Sequence, residues 1–321
     1  MAQQPIGLPQ GFRDILFDEA ERQRAIEQRA AEVFAGQGFR EIIPSSVEYL
    51  RLYERGHQHI EDRSLKFIDR QDSVVALRAD FTPAVARMLA SRPLPADFPL
   101  KLWYRGNVFR RIDPPRALLA ESWQVGAEMI GGDEADADAF VIDLAFRALD
   151  ALGIEGALVH LNHAGIFGGL IEELGLDGEP LSSVQGDIDR KDARGLARRL
   201  HTLGVDSAAQ EQVRRVARCT GGRDALLDVA GTLTAPKAAD AVRSLLVLHD
   251  RLSRWSDRLV FDLSERDDLE YYTGVMFSVT HTAASDELGR GGRYDGLLPA
   301  FGLDLPAVGF SLFTDRIRAV R

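Results

Sequence analysis

Apolar residues recur at helical spacing in some stretches of this chain and alternate with polar residues in others. Residues 18–37 read as an amphipathic helix. Ile26, Ala30, Val33 and Phe34 fall on one face, Asp18 precedes Glu21 in a capping-box spacing, and Gly36 and Gly38 stop it. Phe39 to Pro44 and Ser73 to Arg78 read as strands, and Pro83 suits the first turn of a helix running through Met88. Lys101 to Arg110 and Leu119 to Ile130 read as a pair of strands joined by a loop at Asp113-Pro114-Pro115. Asp133, Glu134, Asp136 and Asp138 then open a helix with Phe140, Leu144 and Leu152 on its apolar face. Their carboxylates are read as partners of the helix dipole rather than as metal ligands.

The texture changes over 164–252, where short helical patterns are separated by glycines and carry basic clusters such as Arg194, Arg198 and Arg199. Those arginines are read as solvated helix faces. Strand patterns return at Arg258 to Leu263 and at Thr273 to Thr280. A glycine-rich turn, strand-like Ala307 to Leu312 and a terminal helix follow. The expectation is an α+β fold, an antiparallel sheet flanked by helices. Its core would run through residues 1–163 and 253–321, around a helical insertion at 164–252.

Composition narrows the function classes. Of 321 residues, 45% are hydrophobic and 27% charged, enough apolar material for a continuous core. A net charge of −10 argues against attachment to nucleic acid mainly through phosphates. The single cysteine, Cys219, excludes an intrachain disulfide and reads as a packing residue in a reducing cytoplasm. No apolar run reaches the length of a membrane span, and Met1 to Ile6 lacks the regions of a signal peptide. A cytoplasmic chain is expected.

Five segments, in order, resemble the catalytic domain of histidyl-tRNA synthetase, a class II synthetase. Gly11 to Leu16, with the following helix through Ile42, looks like the dimer-forming first motif, and Leu77 to Thr82 looks like the amino-acid-binding loop. Phe109-Arg110 through Trp123 to Glu128 resembles the second motif, and Leu269 to Gly274 a segment peculiar to histidyl enzymes. Gly291 to Leu297, Val308 to Phe310 and Asp315-Arg316 resemble the approach to the third motif. The resemblance implies the class II sheet, a homodimer and a histidine pocket. Asp80 would face the ammonium group, and Gln124 and Glu128, four residues apart on one strand, would share a cavity face. Tyr271, Tyr272 and Tyr294 would supply walls and hydroxyls. An ammonium and an imidazole need acceptors, and charge-assisted bonds in an enclosed site suit both.

The synthetase's phosphate chemistry is incomplete by the same resemblance. Arg110 and Arg316 match family arginines, but Leu118 and Ala120 stand where synthetases commonly carry arginines. Asp267 reverses the charge of an arginine in the histidyl segment, while the adjacent Arg266 would point to the opposite face of a strand. Phe313 stands for a glycine on the adenine side, and the anticodon-binding domain is expected to be missing. Stabilising a developing phosphate charge needs fixed cations. Histidyl-synthetase-like chains of this kind include regulatory subunits of ATP phosphoribosyltransferase, the first enzyme of histidine biosynthesis. Membership would imply a short catalytic subunit as partner, activation of that subunit, L-histidine as regulatory ligand, and no catalytic residue, cofactor, metal, tRNA or membrane of its own. The alternative is an enzyme that forms histidyl-adenylate.

Other signals are set aside. Asp267-Asp268 followed by Leu269 to Gly274 matches a phosphoribosyl-pyrophosphate loop only with its spacing off by one. Gly289, Gly291 and Gly292 lack the helix that a dinucleotide fingerprint requires and are read as allowing close backbone approach. His57 with His59, and His160 with His163, lack a third ligand or a nucleophile.

Overall fold

A computed structural model of the chain describes residues 6–55, 58–95, 97–111, 119–265 and 271–321. Helix α1 (Phe17–Gly36) leads to strands β1 (Arg40–Glu41) and β2 (Val47–Tyr49), then to short helices α2 (Arg51–Glu54) and α3 (Gln58–Arg63). Strands β3 (Lys66–Ile68) and β4 (Val74–Leu77), helix α4 (Thr82–Ala90), and strands β5 (Leu100–Phe109) and β6 (Glu121–Ile130) follow. Helix α5 (Glu134–Ala151) and strand β7 (Leu158–His163) precede a helical stretch. It holds α6 (Ala164–Leu174), α7 (Gly178–Asp189), α8 (Ala193–Thr202), α9 (Ser207–Val216), strand β8 (Thr220–Gly221), α10 (Arg223–Ala230) and α11 (Pro236–Arg251). Strands β9 (Leu259–Asp262), β10 (Val275–Thr280), β11 (Gly289–Arg293) and β12 (Ala307–Phe313), then helix α12 (Thr314–Val320), complete the described elements.

Nine strands form one sheet in the order β1-β5-β6-β12-β11-β10-β7-β9-β8, and β2, β4 and β3 form a second, smaller one. The centre of the large sheet is antiparallel, whereas β1–β5 and β7–β9 are parallel pairs. Side-chain alternation divides its two faces. Val125, Ala127 and Met129 of β6 enter the main apolar core with α1 and α5, and Gln124 and Glu128 point to the opposite side. Phe34 of α1 meets Phe310 of β12 edge-on at 5.7 Å, which seats the first helix on the sheet.

Several sequence expectations change in the structure. Helix α1 starts at Phe17, and Asp18 lies in its first turn instead of capping it; Leu16 at the cap position makes no side-chain bond. Asp133 does cap α5 by accepting from the Asp136 amide, but Asp138 is buried and pairs with Arg293 at 2.7 Å. The glycine-rich stretch expected to turn is the inner strand β11. A Cβ on Gly291 would lie 2.4 Å from the Gly309 carbonyl oxygen, so glycine here records tight strand packing. Strand β7 is an addition to the strands read from the sequence. Its alternation is real, with Val159 and Leu161 buried and His160 turned to the other face.

The helices between residues 164 and 251 do not carry a core of their own. Leu170, Val184, Leu200, Val213, Val229 and Leu245 join one cluster with Val159 and Phe261 of the sheet. A second cluster, including Tyr53, Phe81, Val85, Tyr104 and Ile130, lies under the opposite face and supports the cleft described next.

Candidate amino-acid-binding site

The cleft forms where α4, β5, β6, β11 and β12 meet. Asp80 ends the loop before α4, and its Oδ1 accepts a hydrogen bond from the Thr82 amide at 3.0 Å, which fixes the carboxylate at the helix start. Its other oxygen lies 3.9 Å from an Arg110 Nη2. Arg110 is held by its Nε, which donates to the Ala79 carbonyl at 2.8 Å. On β6, Gln124 is buried, yet its amide makes no side-chain hydrogen bond among the described residues. Asp80, Arg110, Gln124, Tyr271, Tyr272 and Tyr294 line one narrow cleft, open to solvent, with about 20 Å³ of enclosed room. The tyrosine walls brace one another: Tyr271 meets Tyr272 at 4.7 Å and Tyr294 at 5.9 Å, both edge-on.

Glu128 differs from the expectation. It lies beneath this lining, 1% exposed. Its Oε1 accepts from Thr82 Oγ1 at 3.0 Å and Tyr104 Oη at 3.2 Å, and its Oε2 accepts from Tyr294 Oη at 2.5 Å. Burial pushes this carboxyl up to about 7; the hydroxyls of Tyr294 and Thr82 oppose the shift, and the charge of Asp80 adds to it. The carboxylate crosses directly over Gly309, where a Cβ would overlap Glu128 Oε2 at 1.6 Å. Glu128 is therefore the floor of the site, and it orients Tyr294 and Thr82.

One end of the cleft is closed by Phe313, which is 3% exposed. Arg316 is placed away from the lining: its guanidinium stacks on the Phe313 ring at 4.3 Å and donates to the Glu287 carbonyl at 2.7 Å. Asp267, Arg266 and Leu118 lie outside the described residues, as do the side chains of His57 and His59. Ala120 is buried, and its carbonyl accepts from the Arg110 amide at 2.8 Å.

A sequence profile described as histidyl-tRNA synthetase matches residues 11–317. The ATP phosphoribosyltransferase regulatory subunit of Syntrophotalea carbinolica is 34% identical over 308 residues, covering 95% of this chain and 72% of the relative. That of Geobacter metallireducens is 32% identical over 308 residues, covering 95% and 71%. This chain belongs to the ATP phosphoribosyltransferase regulatory-subunit family. A solved structure from Bacillus halodurans, described as an ATP phosphoribosyltransferase regulatory subunit/histidyl-tRNA synthetase, superposes with a TM-score of 0.89. It shares 27% identity and covers 99% of this chain and 84% of its own. The regulatory-subunit family is thus built on the histidyl-tRNA synthetase, class II fold.

Within that regulatory-subunit fold, the sequence reading overlooked Thr82, Tyr104 and Arg290. Thr82 and Tyr104 hold Glu128, and Arg290 lines the cleft while its Nε donates to Glu287 at 2.9 Å. Tyr104 was legible in principle, because it shares a face of β5 with Leu102, two residues away, whereas Arg290 was hidden by the reading of its strand as a turn. His160, His163 and Cys219, weighed in the sequence, make bonds within the fold. His163 caps α6 through Nδ1, which accepts from the Gly165 amide at 3.0 Å, and burial pushes its ring down to about 4. His160 bonds Thr280 Oγ1 at 2.8 Å, and burial pushes the Cys219 thiol up to about 11, away from reactivity.

Proposed function

We propose that this chain is a non-catalytic regulatory subunit that activates a short ATP phosphoribosyltransferase catalytic subunit and holds L-histidine in the tyrosine cleft. The observation that carries the reading is the Gln124 amide, turned into the cleft without a side-chain hydrogen bond among the described residues, set beside Asp80 and three tyrosines. An amide facing the cleft offers both a donor and an acceptor, and a bound amino acid would use them. Asp80 offers the ammonium group an acceptor. Phe313 takes up space at one end, and the Arg316 cation is spent on that ring and on Glu287. Such a site suits recognition. A sensor needs only differential binding between two states, and the coupling between histidine and partner is then reciprocal.

We also infer a homodimer as the base of the assembly. Tyr49 of β2 and Phe67 of β3 flank Val75 on one face of the small sheet and are 42% and 43% exposed. An exposed aromatic pair on a sheet face favours a protein partner. The test is to mix the purified chain with a short catalytic subunit, with light scattering on the eluting species. The expected result is a dimer of this chain alone, co-elution of both chains, and a rise in phosphoribosyl transfer. Separate elution with no rise would remove the partner claim.

Arg110 and Arg290 in the cleft wall favour a second reading, a histidyl-adenylate-forming enzyme, because two cations suit an anionic group. Histidine-dependent exchange of pyrophosphate into ATP by the chain alone would support it, and its absence would oppose it.

A further inference from the structure

A second cavity lies along the seam between the helical stretch and the sheet, with about 250 Å³ of enclosed room against about 20 Å³ in the tyrosine cleft. That room is just below the roughly 300 Å³ at which small-molecule sites begin and is enough for a small ligand. Phe167 of α6 and Ile188 of α7 face Leu263 and Met276 of the sheet side across it. Five polar side chains line this space: Asn162, His163, Gln185, Glu265 and Tyr272.

The hydrogen-bond accounting leaves specific atoms for a ligand. Asn162 is spent: its Nδ2 donates to the Glu265 carbonyl at 2.6 Å, and its Oδ1 accepts from the His163 amide at 2.7 Å. His163 accepts at Nδ1 from Gly165, so the neutral ring carries its proton on Nε2, as a donor. Glu265 receives Ser278 Oγ on Oε2 at 3.0 Å, while no described donor bonds its Oε1. The Gln185 amide likewise makes no side-chain hydrogen bond among the described residues. With His163 neutral, Glu265 is the one acidic side chain in the lining; burial pushes its carboxyl up, and a bound cation is what would hold it ionised.

We propose that this seam is a binding site for a small aromatic amine, with its ring between Phe167 and Met276 and its ammonium group on Glu265. A carboxylate at the edge of apolar walls selects a cation. Aromatic and thioether walls favour a flat ring, and the Gln185 amide and His163 Nε2–H accept or donate to its polar edge. Tyr272 forms part of both cavities, so a ligand in the seam touches the wall of the tyrosine cleft.

Tryptamine is a suitable probe, with its neutral counterpart tryptophol as control, titrated into the full chain by calorimetry. Gly168 lines the cavity, and a Cβ there meets nothing within 4 Å, so Gly168→Phe fills the space and also removes a helix glycine. Circular dichroism melting checks that this variant folds. Tryptamine is expected to bind, to lose about tenfold or more in affinity in both Gly168→Phe and Glu265→Gln, and to bind about tenfold better than tryptophol. No tryptamine binding by the wild type, unchanged affinity in folded Gly168→Phe, or equal binding of tryptophol would each overturn the site. Because histidine takes no part in this titration, either outcome is independent of the regulatory reading.

Discussion

At Glu128 the hydroxyls of Thr82, Tyr104 and Tyr294 converge on one carboxylate that solvent does not reach. Desolvation outweighs these donors, so folding favours the protonated acid. A carboxyl raised by folding stabilises the native state most at pH below its ordinary 4.5, and that contribution is lost as pH rises toward about 7. The gap corresponds to about 3 kcal/mol. Glu128→Gln removes the ionisation while keeping the shape. Its melting temperature relative to wild type is therefore expected to climb between pH 5 and 8, on the order of those limits. Parallel melting curves over that window would mean that Glu128 stays ionised in the fold. The strand period made the shared side of Gln124 and Glu128 legible from sequence. The division of labour between them was not, because it depends on hydroxyls brought in by α4, β5 and β11.

Among the elements, β11 shows how a correct residue can be given a wrong setting. Glycines usually mark turns, and the stretch from Gly289 to Gly292 reads that way until its neighbours are known. In the sheet, β11 lies between β10 and β12, and its glycines make room for the Gly309 carbonyl and the Tyr272 ring. The next residue, Arg293, is 2% exposed and clasps Asp138 of α5 through Nε at 2.9 Å and Nη2 at 2.7 Å. This clasp ties α5 to the strand end that presents Tyr294 to Glu128. Asp138→Asn leaves a buried guanidinium partly unpaired, and a loss of about 3 kcal/mol in urea-unfolding free energy is expected. A loss below about 0.5 kcal/mol would instead match a carboxylate acting only on the helix dipole. The acidic run before α5 was legible as a helix start. The special place of its last member was not, since its partner lies 155 residues away.

For the molecule as a whole, the order of the five family-like segments was the most legible feature, because it extends over nearly the full sequence and ends in the matching class II sheet. The way the helices from 164 to 251 merge into the sheet's core was not legible, since amphipathic helices signal a buried face without naming what covers it. That merging creates the seam cavity and places it beside the tyrosine cleft, joined through Tyr272. The whole account rests on a cleft that recognises a free amino acid by its ammonium group and side chain. Calorimetric titration of L-histidine into the wild-type chain and into Asp80→Ala tests this most directly. Saturable binding by the wild type is predicted, weakened about tenfold or more in Asp80→Ala by loss of a charge-assisted bond. Equal affinity in both proteins, or no binding by the wild type, would contradict it.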